Sequence, residues 1–248
     1  MSRIEAGQRV NNVGGDWRRR HICWPLFEKK KMRRILGKFL GGVSSSNGEA
    51  NRVRKLQEVI REAVASSSPQ VESIMAALNE IEPDDVGLTQ SRAALRADGR
   101  EVGYVPLVEC EDYHWCIFVL GPRASITLHD HPNMTVLSRV LAGSVDISAF
   151  DKTDTSFKAY EIMTLTAPCE AIATFPDRRN IHSFVAGPEG AAILDVIFPP
   201  YNDEDRNITY FYQVIDEHEK ILTLTVASPE PDFDCVSLPY RGLELLAD

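Results

Sequence analysis

Ser125-Ile126-Thr127-Leu128-His129-Asp130-His131-Pro132 is the stretch from which the rest of the chain is best read. On a strand, successive side chains point to opposite faces. That alternation puts Thr127, His129 and His131 on one face, and Leu128 and Asp130 on the other. Pro132 ends the strand, because it has no N–H for a ladder. Two imidazoles on one face can converge on a single metal ion. A third candidate is His182, 51 positions after His131, in another strand-like run, Ile181–Val185. Three neutral imidazoles leave a metal's charge uncompensated and its remaining positions open. Taken alone, a His-x-His pair is more often two hydrogen-bonded or solvent-facing histidines on an edge strand. Ligation is favoured by scarcity: there are only six histidines, and the third of this set falls in the same β-rich region. His21 and His218 read as surface residues, and His114, between Tyr113 and Trp115, as a structural one.

Around this stretch, short β-rich runs alternate with turn signals. The runs are Tyr113–Leu120, Ser125–His131, Thr135–Leu141, Val145–Phe150, Ala171–Phe175, Ile181–Val185, Ala191–Phe198, Ile208–Val214 and Ile221–Val226. Gly121-Pro122, Ala142-Gly143, Asp151-Lys152, Pro176-Asp177, Gly187-Pro188 and Pro199-Pro200 punctuate them. Many short strands at this spacing predict a mainly β sandwich or barrel. No repeat of 20–50 residues is visible.

Upstream the period changes. Val53, Leu56, Val59, Ile60, Ala63 and Val64 recur at helical spacing. A second helix is expected with Ser68 as cap and Pro69 at its first position. Its apolar stripe is Val71, Ile74, Met75, Leu78 and Ile81, and Pro83 stops it. Before these helices, Gly41-Gly42-Val43-Ser44-Ser45-Ser46-Asn47-Gly48 has the composition of a flexible linker. Residues 1–40 carry two basic clusters, Arg18–Arg20 and Lys29–Arg34, interleaved with apolar residues. Such a segment reads as a solvated extension, with a membrane-touching amphipathic helix or a transit peptide as the alternatives. Three regions are thus expected: a basic extension with linker over 1–48, a helical segment over 49–90 packed on the barrel, and the barrel domain over 91–248.

Charge narrows the function. Residues 1–40 hold eleven Lys/Arg against three Asp/Glu, whereas the remaining 208 hold sixteen against thirty-three. A body this acidic is a poor nucleic-acid binder, which needs positive surface to displace counterions. No apolar run is long enough for a transmembrane helix. Five scattered cysteines with no Cys-x-x-Cys pair suit a reducing compartment, so the cytoplasm is expected, with the nucleus or an organelle left open by the basic N-terminus.

The histidine cluster partly resembles a cupin motif: Gly121 precedes the pair and Gly143 follows it. The glutamate of that motif is absent, because Thr135 and Val136 hold its two positions. The same stretch argues against a 2-oxoglutarate oxygenase, whose pattern needs Asp or Glu where His131 stands. Longer segments then point to one family. Leu128-His129-Asp130-His131-Pro132, Met134-Thr135-Val136, Asn180-Ile181-His182, Leu194-Asp195-Val196 and Pro199-Pro200-Tyr201 resemble the thiol dioxygenases, the family of cysteamine dioxygenase and the plant cysteine oxidases. Asp84-Asp85-Val86-Gly87-Leu88 and Glu109-Cys110-Glu111 resemble family segments too. The likeness covers roughly residues 50–215 in order.

The resemblance implies a cupin-type double-stranded β-helix, a jelly-roll barrel, with N-terminal helices. It implies Fe(2+) held by His129, His131 and His182. It implies that O2 and a thiol, either cysteamine or a protein's N-terminal cysteine, give a sulfinic acid. Asp195, a carboxylate in the apolar run Ala191–Phe198, is expected to be buried and to need a partner. It is read as an acceptor for the substrate amine or for a ligand imidazole. Tyr201 would project from the Pro199-Pro200 turn, with its hydroxyl toward substrate or oxygen. The family's Cys–Tyr cross-link is not available, because Ile208 holds the Cys position before Tyr210. Cys110, Cys116, Cys169 and Cys235 are read as core or surface thiols. A monomer is expected. Two other readings stand beside this one: a three-histidine cupin dioxygenase acting on a small carbon substrate, and a non-catalytic metal-binding cupin sensor.

Overall fold

Two long strands organise the protein. The computed structural model describes residues 51–99, 101–152, 157–202, 204–215, 222–227 and 235–246, so the expected basic extension and linker lie outside the described residues. In chain order the elements are α1 (Arg52–Val64), α2 (Val71–Asn79), α3 (Leu88–Asp98), β1 (Val102–Glu109), β2 (His114–Leu120), β3 (Ser125–His129), β4 (Thr135–Lys152), β5 (Phe157–Thr166), β6 (Ile172–Thr174), β7 (Ile181–Phe198), β8 (Phe211–Ile215), β9 (Leu222–Val226) and β10 (Cys235–Ser237). β4 and β7 have 18 residues each and run antiparallel side by side. Their outer partners change along their length. At one end β2 and β6 flank the pair; at the other, β3 and β5 do. The result is two sheets that share their central strands: β10-β1-β2-β7-β4-β6 and β3-β7-β4-β5.

Where the sheets part, both long strands bend. The sequence reading broke each of them in two, taking Ala142-Gly143 and Gly187-Pro188 as turns. The chain instead continues through register shifts at Val140/Ala142 and Gly143/Val145. Gly143 and Gly190 both have left-handed backbone, with φ 71° and 75°. A Cβ on Gly143 would overlap the Gly190 carbonyl, and one on Gly190 would overlap the Leu120 carbonyl. Glycine here allows a bulged bend, not a chain reversal.

Between the sheets lies the barrel interior, built from Phe118 and Leu120 of β2, Ile126 of β3, Val136, Val140, Val145 and Ile147 of β4, and Phe184, Ile193 and Ile197 of β7. The opposite face of the first sheet, including Trp115, Ile117, Leu137, Leu194 and Val196, packs on Val53, Leu56 and Ile60 of α1 and Ile74 and Leu78 of α2. β2 is therefore buried on both faces, which is why it reads as an unbroken apolar run. Two sheets wound around one core with helices outside is the cupin-type double-stranded β-helix that the resemblance implied.

Several elements differ from the sequence reading. α2 begins at Val71 with Gln70 at its N-cap, not at Pro69 after a Ser68 cap, because the Val71 N–H turns back to the Pro69 carbonyl (3.1 Å). α3 was not anticipated, and it carries the helical layer to Asp98, beyond the expected boundary at 90. β1 was missed because Gly103 and Pro106 interrupt it; a bulge between Pro106 and Val108 accommodates the proline. β5 and β10 were missed as well. β3 ends at His129, earlier than expected.

Arg139 fastens the helical layer to the barrel. It is buried, and its guanidinium donates to the carbonyls of Leu78 in the last turn of α2 (2.7 Å), of Ile81 just past it (2.5 Å) and of Cys169 (3.1 Å). Arg139→Met keeps the volume and strands these carbonyls. We expect a loss of about 2–4 kcal/mol, read as a lower urea midpoint with an unchanged slope.

The residues after β10 form a strap across the same layer. Gln57, buried in α1, accepts from Leu246 N–H (2.7 Å), and Asn51 donates to the Glu244 carbonyl (2.9 Å). Arg54 pairs with the Glu244 carboxylate. Leu243 N–H reaches the Asp85 carbonyl (2.6 Å), and Gly242 lies so close to Asp85 and Val86 that no side chain fits.

Candidate metal centre

His129 closes β3, and in the ladder it stands directly opposite His182 of β7. His182 has Ala149 of β4 on its other side, a small residue that leaves the interior open there. His131 follows the end of β3. Asn180 holds it through the backbone: its side-chain oxygen accepts from the His131 N–H (3.2 Å), and its amide donates to the His131 carbonyl (2.7 Å). The ring centroids of the three histidines are 4.7–5.2 Å apart. All three are buried, and their potential ligand atoms lie within 4.8 Å of one another.

Simple alternation would have put Thr127 beside His129 on the inner face. The register instead shifts between Ile126 and His129, so Ile126 and His129 both face the interior while Leu128 packs outside with Phe150, Ile181, Phe211 and Leu224. The histidines meet as expected, but through a bulge and a strand end.

The hydrogen bonds assign the tautomers. His129 Nδ1 is 2.7 Å from the Thr127 carbonyl, which can only accept, so Nδ1 carries the proton. His182 Nδ1 likewise faces the Arg179 carbonyl (3.3 Å), with Thr174 Oγ1 at 3.4 Å. Tyr201 has one hydroxyl proton and donates it to the Asp130 carbonyl (2.7 Å), so its oxygen accepts from His131 Nδ1–H (2.7 Å). Each imidazole is left with a bare Nε2. Two of these, on His131 and His182, are 3.1 Å apart with no proton between them. Facing lone pairs repel unless a cation lies between them. Imidazole nitrogens about 2.1 Å from one metal ion, at right angles, would stand about 3 Å apart. Burial also keeps the rings neutral. It lowers His129 to about 4 and His182 to about 3, and it pushes His131 well below its ordinary value, helped by the other two rings. The donor set fits a divalent metal.

Tyr201 thus turns its hydroxyl to a ligand's outer nitrogen and to backbone, as a positioning residue. We expect Tyr201→Phe to weaken metal binding about 10–100-fold, measured by titration of the metal-free protein, because the His131 Nδ1–H loses its acceptor.

Phe118, Ile126, Phe184, Ile197 and Ile208 line the cavity with apolar surface, and Asp195, Tyr201 and Tyr210 complete it. Asp195 is 5% exposed, and its Oδ1 has no hydrogen-bond partner. Burial raises this carboxyl to about 7, with a hydrogen bond from Ser138 opposing the shift. Ile208 and Tyr210 belong to a segment fixed by Asp130, whose carboxylate accepts from Thr209 N–H (2.7 Å) and whose N–H donates to the Thr209 carbonyl (3.1 Å). Tyr210 bridges to His129 through the backbone.

The sequence reading missed the role of Asn180, although it quoted the residue; an amide two positions before His182, at the start of an apolar strand, was the available signal. It also missed Asp130 as the anchor of the 207–210 segment. His114 is buried at the end of β2, outside the three-histidine group. His21 and His218 lie outside the described residues. Cys116 and Cys235 are buried, and Cys110 and Cys169 half-buried; none joins the group of possible ligands found among the described residues.

A double-stranded β-helix with three convergent neutral imidazoles is a metal-binding cupin. Comparison with known proteins narrows the class: the family model PCO_ADO matches residues 77–245, and the chain belongs to that family. It is 36% identical to plant cysteine oxidase 2 of Arabidopsis thaliana over 161 residues, which is 59% of this chain and 58% of that one. It is 34% identical to a probable 2-aminoethanethiol dioxygenase of Dictyostelium discoideum over 176 residues, 66% of this chain and 80% of that one. The match thus spans little more than half the length of the Arabidopsis relative. Among solved structures, a cupin superfamily protein of Desulfitobacterium hafniense aligns with a TM-score of 0.33 and 17% identity, over 41% of this chain and 80% of that one. The two relatives are named as a cysteine oxidase and a 2-aminoethanethiol dioxygenase, and the three-histidine group here fits a metal site. No helix among the described residues is long and apolar enough to cross a membrane.

Proposed function

We propose that this protein uses Fe(2+), held by His129, His131 and His182, to oxidise a thiol to a sulfinic acid with O2. The thiol is cysteamine or the N-terminal cysteine of a protein. The observation that supports the reading is a buried group of three histidines whose potential ligand atoms lie within 4.8 Å of one another, each with its Nδ1 proton committed to another acceptor. When bound there, ferrous iron would supply open positions for thiolate and O2 and the electron density that activates O2.

The chain's own residues supply the rest. Both substrates carry an amine two carbons from the sulfur. The partnerless Oδ1 of Asp195 is the acceptor that such an amine needs, and a buried carboxylate needs such a cation. The amine and the thiol would then be held at two fixed points, which orients the sulfur. Phe118, Ile126, Phe184 and Ile197 exclude water from the reacting sulfur.

The test is to load the full chain with Fe(2+) and supply cysteamine or a Cys-initiated peptide under O2, reading product mass and oxygen uptake. A gain of two oxygen atoms on either thiol supports the reading. Oxygen uptake that needs no thiol, or metal binding with no uptake, would reject it in favour of a carbon-substrate dioxygenase or a sensor respectively.

A further inference from the structure

Two of the three histidines depend on one short turn. β6 ends at Thr174 and β7 begins at Ile181, so residues 175–180 connect them. The turn is closed by its own backbone: Phe175 N–H donates to the Arg178 carbonyl (2.8 Å), and Arg178 N–H to that of Phe175 (3.2 Å). Arg179 and Asn180 then lead into β7. The Asn180 amide ties the turn to His131, because it donates both to the Phe175 carbonyl (3.2 Å) and to the His131 carbonyl (2.7 Å). The Arg179 carbonyl faces His182 Nδ1 (3.3 Å), and Thr174 Oγ1 approaches the same nitrogen (3.4 Å). Neighbouring residues of one turn therefore serve two different rings.

The turn has one strained point. Arg179 has left-handed backbone, with φ 57°. A residue with a Cβ resists that region, where glycine and asparagine are ordinary. Such a conformation persists only where its surroundings impose it. Asp151 supplies the constraint. The β4–β7 ladder ends with Phe150 opposite Ile181. One residue further along β4 a side chain takes over from the backbone: Asp151 Oδ1 accepts from the Arg179 N–H at 2.5 Å. A charged acceptor makes this a strong bond. Asp151 is half-buried, and it stands outside both the three-histidine group and the cavity lining. Its influence on the centre runs through Arg179.

We propose that Asp151 is a positioning residue of the metal centre: its carboxylate holds Arg179 in the left-handed form that aims the Arg179 carbonyl at His182 Nδ1. That carbonyl keeps the ring proton on Nδ1 and leaves Nε2 for the metal. The proposal rests on reading the three histidines as a metal site. Without Asp151, Arg179 relaxes toward right-handed or extended backbone, and its carbonyl leaves the ring. Thr174 Oγ1 can accept from Nδ1 or donate to it, so by itself it does not select a tautomer. His182 then divides between two neutral forms, one of which carries its proton on the nitrogen that the metal needs.

The test uses the full chain, metal-free, titrated with Fe(2+) in the absence of O2. Asp151→Ala should raise the dissociation constant about tenfold. Asp151→Asn keeps an acceptor oxygen and should stay within about threefold of wild type. Arg179→Gly removes the resistance to left-handed backbone, so adding it to Asp151→Ala should restore most of the lost affinity. A second readout needs no metal. Nitrogen-15 spectra of the histidine-labelled protein at about pH 8, where the rings are neutral, report the tautomer of His182, whose signals are identified by their loss in His182→Ala. Wild type should show the Nδ1–H form alone, Asp151→Ala a mixture, and the double variant the single form again. A merely structural role would lower the urea midpoint and leave the tautomer as it was. An unchanged tautomer or an unchanged Fe(2+) affinity in Asp151→Ala overturns the proposal, as does a glycine that restores neither. Thr174→Val leaves Asp151 and Arg179 in place and should keep the single form; mixing there gives the role to Thr174 and also overturns the proposal, whether or not Asp151→Ala folds. If wild-type protein takes up no Fe(2+), the metal reading fails, whereas the nitrogen spectra still report on Asp151.

Discussion

Alanine at His129, His131 or His182 should abolish stoichiometric iron binding and reduce thiol oxidation to background, a loss of at least about a thousandfold in turnover. The three rings hold their Nε2 atoms within one small volume, and each outer nitrogen is fixed by a different acceptor: Thr127, Tyr201 and Arg179. Asp195 shares the cavity but is outside the three-histidine group found among the described residues, and Thr135 and Val136 occupy the positions where the cupin motif carries its carboxylate. Metal analysis of each variant after reconstitution checks the first part, and product mass on a Cys-initiated peptide the second. An alanine variant that keeps both iron and turnover would remove the basis of the proposed chemistry. The metal-free variants should remain folded and gain stability at low pH. Burial lowers the folded values of His129 and His182, so the wild-type protein resists uptake of protons that its unfolded chain accepts. That resistance costs stability as pH falls below about 6.5 toward the folded values.

Asp195→Asn should have opposite effects on function and stability. Thiol oxidation should fall by about 10²–10³-fold, because the amine of the substrate loses its charged partner. The metal-free protein should become more stable at alkaline pH. The sign follows from the carboxyl's rise to about 7 from an ordinary 3.8. Its folded value exceeds its unfolded one, so its favourable contribution is complete below about 4 and is lost as pH rises through 7. Asparagine has no such dependence. Relative to wild type, the variant should gain about 3–4 kcal/mol between pH 4 and pH 8, with little further change above that. Urea denaturation at the two pH values measures the gain. Equal pH dependence in the two proteins would mean that Asp195 is ionised at ordinary cost, contrary to its burial.

The three histidines that meet here were legible in the sequence because histidine is scarce and because His-x-His, followed by a third histidine in a β-run, carries chemistry in its spacing. Asp195 was legible for the complementary reason: a carboxylate inside Ala191–Phe198 contradicts its surroundings. What spacing could not reveal was how His129 and His131 reach the same side. Alternation assigned the correct pair of histidines but the wrong neighbour, Thr127 in place of Ile126, because a bulge leaves no mark in a period of two. The same limit split β4 and β7 at their glycines. A glycine that relieves a bend and a glycine that starts a turn look alike until the partner strand is known. α3 escaped notice because its apolar face is sparse, and β1 because Pro106 lies within it. Tyr201 was legible as a member of the site, but its hydroxyl direction depends on the carbonyl of Asp130, 71 residues earlier.

The strap that follows β10 carries a consequence for biosynthesis. α1 leaves the ribosome nearly two hundred residues before Glu244 and Leu246, the partners of Asn51, Arg54 and Gln57. Until those residues emerge, Gln57 lacks its partner in the strap, and α1 holds the 82–88 turn through the Arg52–Asp85 pair. Sealing of the first helix therefore waits on a segment made nearly two hundred residues later, so this layer is completed late in synthesis.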